Sequence, residues 1–492
     1  MDADVIIVGA GPTGLTLAAE LGLAGVRTLL LDAATERSRQ SRAGSIQPRT
    51  AEVFASRGLL APMLAGRPPR GTVGGHFAGL PVPLTADGWR TRFPHPVSIP
   101  QYELETFLAG HLARFRTVAV RTGCAVIALE SDDDGVTATL ADGGTVRGRW
   151  LVGCDGGHST VRRLTGVDFP GRSGRYGMVA SDITLTGPGA AELPATLRHF
   201  SQAVRGDAEQ QALLSPLGDG VYRFMFGGRD QLGVPRDAPV TADEISRALT
   251  AACGTDVRLD TVRYASRFSD ATRQAAAYRT GRVLLAGDAA HIHLPAGGQG
   301  INLGVQDAAN LGWKLAARVH GHTDLLDTYH DERHPVAARV LANTRAQGVL
   351  MGPGDPDVGA LRDLLTDLLR LPAANHAVTG MISGLDVRYA LAGKPHPLLG
   401  ARMPDLDLDT TTGPVRLSTL QHDGRGILLD HTGRLAATAR PWSTRIRYVA
   451  AQVAEPDADA LLIRPDGHVC WTAADDDPTD ALTYWFGAPD PA

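Results

Sequence analysis

Lysine is almost missing from this chain: Lys314 and Lys394 are the only two among its 492 residues, and arginine carries nearly all the positive charge. Basic residues, 48 against 53 acidic, form no Lys/Arg run, so the electrostatic footprint of a nucleic-acid binder is absent. Cysteine is scarce as well. Cys124, Cys154, Cys253 and Cys470 are far apart and make no C-x-x-C, which argues against zinc, iron–sulfur and dithiol redox chemistry and points to a reducing cytoplasm. Long apolar runs are lacking too. The stretch Val5 to Gly25 follows Asp2 and Asp4 and is interrupted by Glu20, unlike a signal peptide, and nothing else approaches the ~20 apolar residues of a membrane span. What is there is an ordinary globular composition, 43% hydrophobic and 21% charged, on a chain long enough for about two or three domains.

Asp4 to Val8 reads as a buried parallel strand, followed by glycines, a helical pattern to Gly25 and a second strand from Val26 to Leu31: a βαβ unit. Within it Gly9-Ala10-Gly11-Pro12-Thr13-Gly14 fits G-x-G-x-x-G. Glycines at these places allow a tight turn and close approach of backbone N–H groups to a pyrophosphate, and the helix N-terminus adds its positive end. Asp32 ends the next strand about 20 residues on, where a carboxylate can accept hydrogen bonds from an adenosine ribose. This pattern signals a dinucleotide without choosing FAD over NAD.

Pro48 opens a helix through Arg57, and residues 71–98 then lose periodicity in a Gly/Pro-rich stretch read as excursions toward a substrate pocket. Gln101 to Ala113 is helical again, and Ala125–Glu130 with Val136–Leu140 reads as a hairpin. A second motif, Gly153 to Arg162, contains Asp155-Gly156; taken alone it is a strand ending in an Asp-Gly turn, with Ser159 near a helix start. From Phe169-Pro170-Gly171 to Arg279 the chain is strand-rich, as a separate sheet domain would be. Arg282–Gly287 is then a buried strand and Gly304–Val319 a helix of the first domain. Between them lies the third motif, Gly287-Asp288-Ala289-Ala290-His291, running through Pro295 to Gly297–Asn302. An Asp at a strand end can bond a ribityl or ribose hydroxyl, and a Gly-rich turn opening a helix can cradle phosphate or flavin oxygens. From about His396 the tail carries the apolar runs Gly426–Leu429, Ile446–Ala450 and Leu461–Ile463, the pattern of a small α/β module.

These three motifs, in this order, resemble the fingerprints of the FAD-binding family of single-component aromatic hydroxylases. More narrowly, Ala286–Leu303, Asp307–Leu315 and His396–Pro404 are similar to the aromatic polyketide hydroxylases, which include enzymes that tailor angucyclines and anthracyclines in antibiotic biosynthesis. The resemblance implies an α/β fold: a discontinuous Rossmann-like FAD-binding domain (1–70, 98–170 and 280–390), an inserted β-sheet substrate domain (71–97 and 171–279) and a thioredoxin-like C-terminal domain (395–492). It implies that Gly9, Gly11, Gly14 and Asp32 hold the ADP half of FAD, and that Arg42 and Gln101 contact the pyrophosphate or ribityl region. Val126 joins the cofactor contacts, and Asp155 sits where FAD and a nicotinamide cofactor meet. Asp288 holds the ribityl chain, Pro295 stands beside the isoalloxazine, and Gly298, Gln299, Gly300, Ile301 and Asn302 follow its pyrimidine edge. Two residues depart from the family pattern: Asp32 replaces the commoner Glu, and Leu294 stands where many relatives have a first proline. The tail has one cysteine, Cys470, and no C-x-x-C, which implies a structural or interface role.

One dinucleotide fingerprint, with no second later in the chain, separates it from two-nucleotide disulfide reductases. The resemblance implies a monooxygenase: NADPH binds transiently and reduces the flavin, and molecular oxygen then forms a C4a-hydroperoxide that hydroxylates a multi-ring aromatic polyketide. Two alternatives stay open here, Baeyer–Villiger oxygen insertion on the same scaffold and a flavin-binding module without turnover. A halogenase is disfavoured, because the tryptophans include no W-x-W pair and lysine is nearly absent. A phenolic substrate activates its own ring, so no catalytic residue is assigned and no metal is expected. His291 and His293, in a tight loop, read as structural hydrogen-bonders rather than proton shuttles. Trp89, Phe93, His199, Phe200, Phe224, Phe226 and Pro295 are the candidates to face substrate, although the aromatics are as readily core. The expected assembly is a monomer or homodimer.

Overall fold

The computed structural model describes all residues except 38–43, 67–74, 198, 206–211, 229, 236, 353–355, 454–456, 474–476 and 492. Arg42 therefore lies outside the described residues. The fold is mixed α/β. Val5, Ile6 and Ile7 are fully buried, as an uninterrupted apolar strand covered on both faces should be. Their strand, Ala3–Val8, runs parallel between Thr28–Leu31 and Thr145–Gly153. Val283–Leu285 joins parallel beyond Thr145–Gly153, and Val118–Arg121 beyond Thr28–Leu31. In this register Val8 pairs with Leu31 and Gly153, and Leu285 with Gly153, so four neighbouring strands end level. The hairpin Val126–Ser131 and Val136–Leu140 pairs onto Thr145–Gly153. Helix Gly300–Val319 starts four residues before the expected Gly304, because the Gly-rich turn opens directly into it. Among the described residues, no helix is long and apolar enough to cross a membrane.

A second sheet is antiparallel, with Gly177–Thr186 flanked by Val221–Gly228 and Arg258–Ser269, and Ala212–Gly218 beyond Val221–Gly228. Strand side chains alternate between faces. Val179, Ile183, Leu214, Phe224 and Phe226 pack against Ile245 and Leu249 of helix Ala242–Cys253. That helix begins at Thr241, whose hydroxyl accepts from the Glu244 N–H, with Asp243 and Glu244 complementing the helix dipole. The opposite face carries Met178, Leu213 and Met225.

The tail forms a third, six-stranded sheet, in which Gly426–Asp430 runs parallel to Ile446–Gln452 and antiparallel to Ala460–Ile463. Its joint to the main body is ionic and buried. Arg464, fully buried, donates to Glu332 at 2.6 and 2.8 Å and pairs with Asp466, while Lys314 Nζ reaches Glu332 at 2.8 Å. Burial alone would raise the Glu332 carboxyl, but Arg464 and Lys314 pull it down to about 2.

Candidate active site

The level strand ends bring the three motifs together, where ligands bind in open α/β sheets. Gly9 follows Ala3–Val8 with φ +106°, and a Cβ there would lie 2.3 Å from the Cys154 carbonyl oxygen. The first and second motifs therefore touch through bare backbone. Gly287, with φ +62°, leaves room for Thr13, whose Oγ1 would be 2.5 Å from an added Cβ, joining the first motif to the third. Arg162 ties the second to the third: its Nη1 donates to the Ala289 carbonyl at 2.8 Å and its Nη2 to the Gly157 carbonyl at 3.0 Å, with the guanidinium stacked 3.7 Å from the Phe169 ring. Its sequence neighbourhood was legible; its clamping role was not.

These residues fit a dinucleotide. Helix Pro12–Leu23 starts at Gly11 with no side-chain cap and no acidic residue in its first turn, and a Cβ on Gly11 would meet no atom within 4 Å. An uncapped helix N-terminus beside open space suits a pyrophosphate. At the next strand end the Asp32 carboxylate accepts from the Ala10 N–H at 2.6 Å and the Ala34 N–H at 2.8 Å, which fixes the glycine turn against it. Asp288 is exposed among buried neighbours and accepts no hydrogen bond from the described residues. The Asp155 carboxylate is engaged: it accepts from Ser159 Oγ at 2.5 Å and from the N–H groups of Thr160 and Val161, and so caps the short Thr160–Leu164 helix. Gln101 begins helix Gln101–Leu112 and donates to Glu105, and Val126 is buried at the start of its strand.

In the third motif Pro295 is exposed and Gly298, Gly300 and Ile301 are half-buried, while Gln299 and Asn302 are buried. Asn302 pins the loop to the segment before Pro48: its Oδ1 accepts from the Gln47 N–H at 2.7 Å and its Nδ2 donates to the Gly298 carbonyl at 2.7 Å. Beneath the loop, His291 Nε2 and Asp307 Oδ2 are 2.6 Å apart, and Arg333 Nε donates to Asp307 Oδ1 at 2.7 Å, all three residues being fully buried. Burial would raise the Asp307 carboxyl; Arg333 and His291 overcome that and hold it low. His293 Nδ1 lies 2.8 Å from the Leu294 carbonyl oxygen.

A cavity opens beside this loop, with about 840 Å³ of empty space counted out through its open mouth. Met178, Leu213 and Met225 of the second sheet form one wall, Phe200 and Ala78 another, and Leu294 closes the side toward Pro295. The aromatic candidates need correction. Phe224 and Phe226 are core residues facing helix Ala242–Cys253, because strand alternation gives the cavity side to Met225 between them. Trp89 stacks on His376 at 4.3 Å and packs on helix Pro372–Ser383, while Phe93 lies in a cleft with Arg49 and Met403 at the C-terminal joint. Pro295 is beside the cavity rather than in its lining. His199 is buried, its Nδ1 accepting from the Ser201 N–H at 3.2 Å. Phe200 does line the cavity, stacked 3.8 Å from His76. Burial, aided by His199, lowers His76 to about 4. Met178, Leu213, Met225 and Arg362 had no sequence signal beyond the parity of their strands and helix.

Comparison with known proteins agrees with this geometry. The FAD binding domain family matches residues 2–344, and the C-terminal family of aromatic-ring hydroxylases matches residues 396–489. The chain is 47% identical to an anhydrotetracycline monooxygenase of Streptomyces rimosus over 511 aligned residues, covering 99% of this chain and 100% of that one. It is 46% identical to a rifampicin monooxygenase of Streptomyces venezuelae, covering 99% of each. Among solved structures, the aromatic hydroxylase CabE from angucycline biosynthesis superposes with a TM-score of 0.89 at 40% identity, over 99% of this chain and 100% of that one. A flavin-binding module without turnover is thereby set aside: the chain belongs to the FAD-dependent aromatic-ring hydroxylases and is a flavoprotein monooxygenase of their polyketide-hydroxylase group.

Proposed function

We propose that this enzyme uses NADPH to hydroxylate a multi-ring aromatic polyketide held in this cavity. That cavity carries the reading. Its walls of Met178, Phe200, Leu213, Met225, Leu294 and Met351 are apolar and side-chain-built, which suits a flat fused-ring ligand more than a small polar one. It lies beside the loop where Pro295 stands, the place the resemblance assigns to the isoalloxazine. The backbone cradle at Gly9, Gly11 and Gly14, with Asp32, would hold the ADP half of FAD, and Asp288 the ribityl chain. Gly298 and Gly300 to Asn302 would border the ring. Bound FAD supplies the redox chemistry, accepting hydride from NADPH and activating molecular oxygen. The chain's own contribution is to exclude water with the apolar walls and to hold the substrate ring at reacting distance. Thioredoxin-like architecture is our reading of the C-terminal sheet, supported by its parallel central pair and antiparallel edge.

The test is NADPH oxidation by the FAD-loaded enzyme under isotopically labelled oxygen, with a panel of linear and angular tetracyclic phenols and products read by mass spectrometry. A substrate-dependent rate with one labelled oxygen on a ring carbon is expected. Label inside a newly formed lactone would replace hydroxylation by Baeyer–Villiger insertion. Steady oxidation with peroxide release and no labelled product across the panel would overturn the polyketide assignment.

A further inference from the structure

Among the described residues lining the cavity, Arg362 is the one basic side chain. It comes from helix Pro356–Leu369. Its Nη1 donates to the carbonyls of Leu350 at 2.6 Å and Ala78 at 3.2 Å. Nε and Nη2 have no hydrogen-bond partner among the described residues, and they are not sealed from solvent-sized space. No carboxylate of the described residues lies within ion-pair distance. The contrast with the one acidic side chain among the described lining residues is sharp. Asp270 is saturated, accepting from Arg172 Nη2 and the N–H groups of Arg175 and Tyr176. Burial pulls the Arg362 guanidinium down from its ordinary range, with the neighbouring Asp363 only partly opposing. A cation half-withdrawn from water, with free donors on an apolar cavity, is an incomplete pair.

Ala78 adds a second observation. Its backbone has φ +50°, a region that costs a non-glycine residue energy. It is held there from both sides, its N–H donating to Gln347 Oε1 at 3.0 Å and its carbonyl accepting from Arg362. Arg362 is thus fixed at the point where the 75–84 excursion meets the cavity, with the rest of its planar fork unused.

We propose that Arg362 selects the substrate by pairing with a resonance-stabilised oxyanion on the multi-ring ligand, of the kind a carboxylate or an ionised 1,3-diketone presents. Guanidinium suits such groups because its parallel N–H donors match two oxygens. The inference rests on the cavity being the substrate site. It gives that site a polarity: the charged edge of the ligand toward Arg362, its apolar body along Met178 and Met225.

The experiment is calorimetric titration of the FAD-loaded enzyme with anthraquinone-2-carboxylate, its neutral methyl ester, and 2-acetylindane-1,3-dione as an enolate source. Wild type should hold the carboxylate about tenfold to a hundredfold more tightly than the ester, the scale of one charge-assisted hydrogen bond. Arg362→Gln, which keeps a neutral donor for the Ala78 and Leu350 carbonyls, should erase that preference and leave ester binding within about twofold. Arg362→Lys should restore part of it. Loss of the enolate alone in Arg362→Gln would assign the oxyanion to a 1,3-diketone, and loss of both acids to either source. Equal binding of acid and ester by wild type, or equal weakening of both by Arg362→Gln, would overturn the proposal and leave Arg362 as a brace for Ala78. Met225→Trp separates the two readings: it should block every probe, and if none is affected the cavity assignment itself fails.

Discussion

At the ends of the parallel strands the site is made of backbone. Gly9 touches the Cys154 carbonyl, Gly287 admits Thr13, and an uncapped helix start at Gly11 faces open space. Nearby charge is buried but paired, Asp307 with His291 and Arg333. Across the cavity the site is made of side chains: Met178, Leu213 and Met225 from three strands, Phe200, Leu294, and Arg362 with three of its five N–H donors unpaired among the described residues. The first region can change little without losing its turns. The second can change its lining one residue at a time while the sheet beneath keeps its core of Phe224, Phe226 and Ile245. A fold of this kind keeps its cofactor chemistry constant and leaves substrate choice adjustable.

The largest expected effect comes from breaking the pairing under the Gly297–Asn302 loop. Asp307→Ala strands the buried Arg333 and should cost about 3–5 kcal/mol in denaturant unfolding; a loss under about 1 kcal/mol would mean that the charges there are solvated. Slightly smaller effects should divide the two faces of the second sheet. Phe224→Ala should cost about 3–4 kcal/mol of stability, whereas Met225→Ala, one residue on, should cost less than about 2 kcal/mol and change aromatic-ligand affinity instead. Reversal of those two outcomes would overturn the face assignment.

Acid stability probes the C-terminal joint. Burial lowers His468 from the ordinary 6.5 to about 4, although Asp466 partly opposes it. Above pH 6.5 the imidazole is neutral in both folded and unfolded chains. Below that the unfolded chain takes the proton first, so stability falls from pH 6.5 to about 4, by about 3 kcal/mol in all. His468→Gln should flatten that slope in denaturation at pH 7, 5.5 and 4, and an unchanged slope would assign it elsewhere. His76, also lowered to about 4, should leave a residual slope of the same sign. The smallest free-energy change is expected at the cofactor: Asp288→Ala should weaken FAD retention about tenfold, by roughly the worth of one charge-assisted hydrogen bond. Dialysis followed by flavin absorbance reads this directly, and a fully flavinated, active variant would remove Asp288 from the site.

The sequence by itself determined the three strand-end motifs. Apolar runs at Val5–Val8 and Val283–Leu285, the glycines at 9, 11 and 14, and Asp32, Asp155 and Asp288 were legible because a tight backbone turn at a strand end is a local requirement written in adjacent residues. It also determined the hairpin at 126–140 and the strands of the tail. Only the tertiary structure decided what lines the cavity. Phe224 and Phe226 were the conspicuous residues, yet strand parity turned them into the core and exposed Met225. It decided, too, that Asp155 caps a helix, that Arg162 clamps two motifs, and that Lys314, one of two lysines, is buried against Glu332. Arg362 meets Ala78 at a sequence separation of 284. Such contacts are set by how sheets and helices pack in space, and the periodicity of neighbouring residues carries no record of which distant face they will meet.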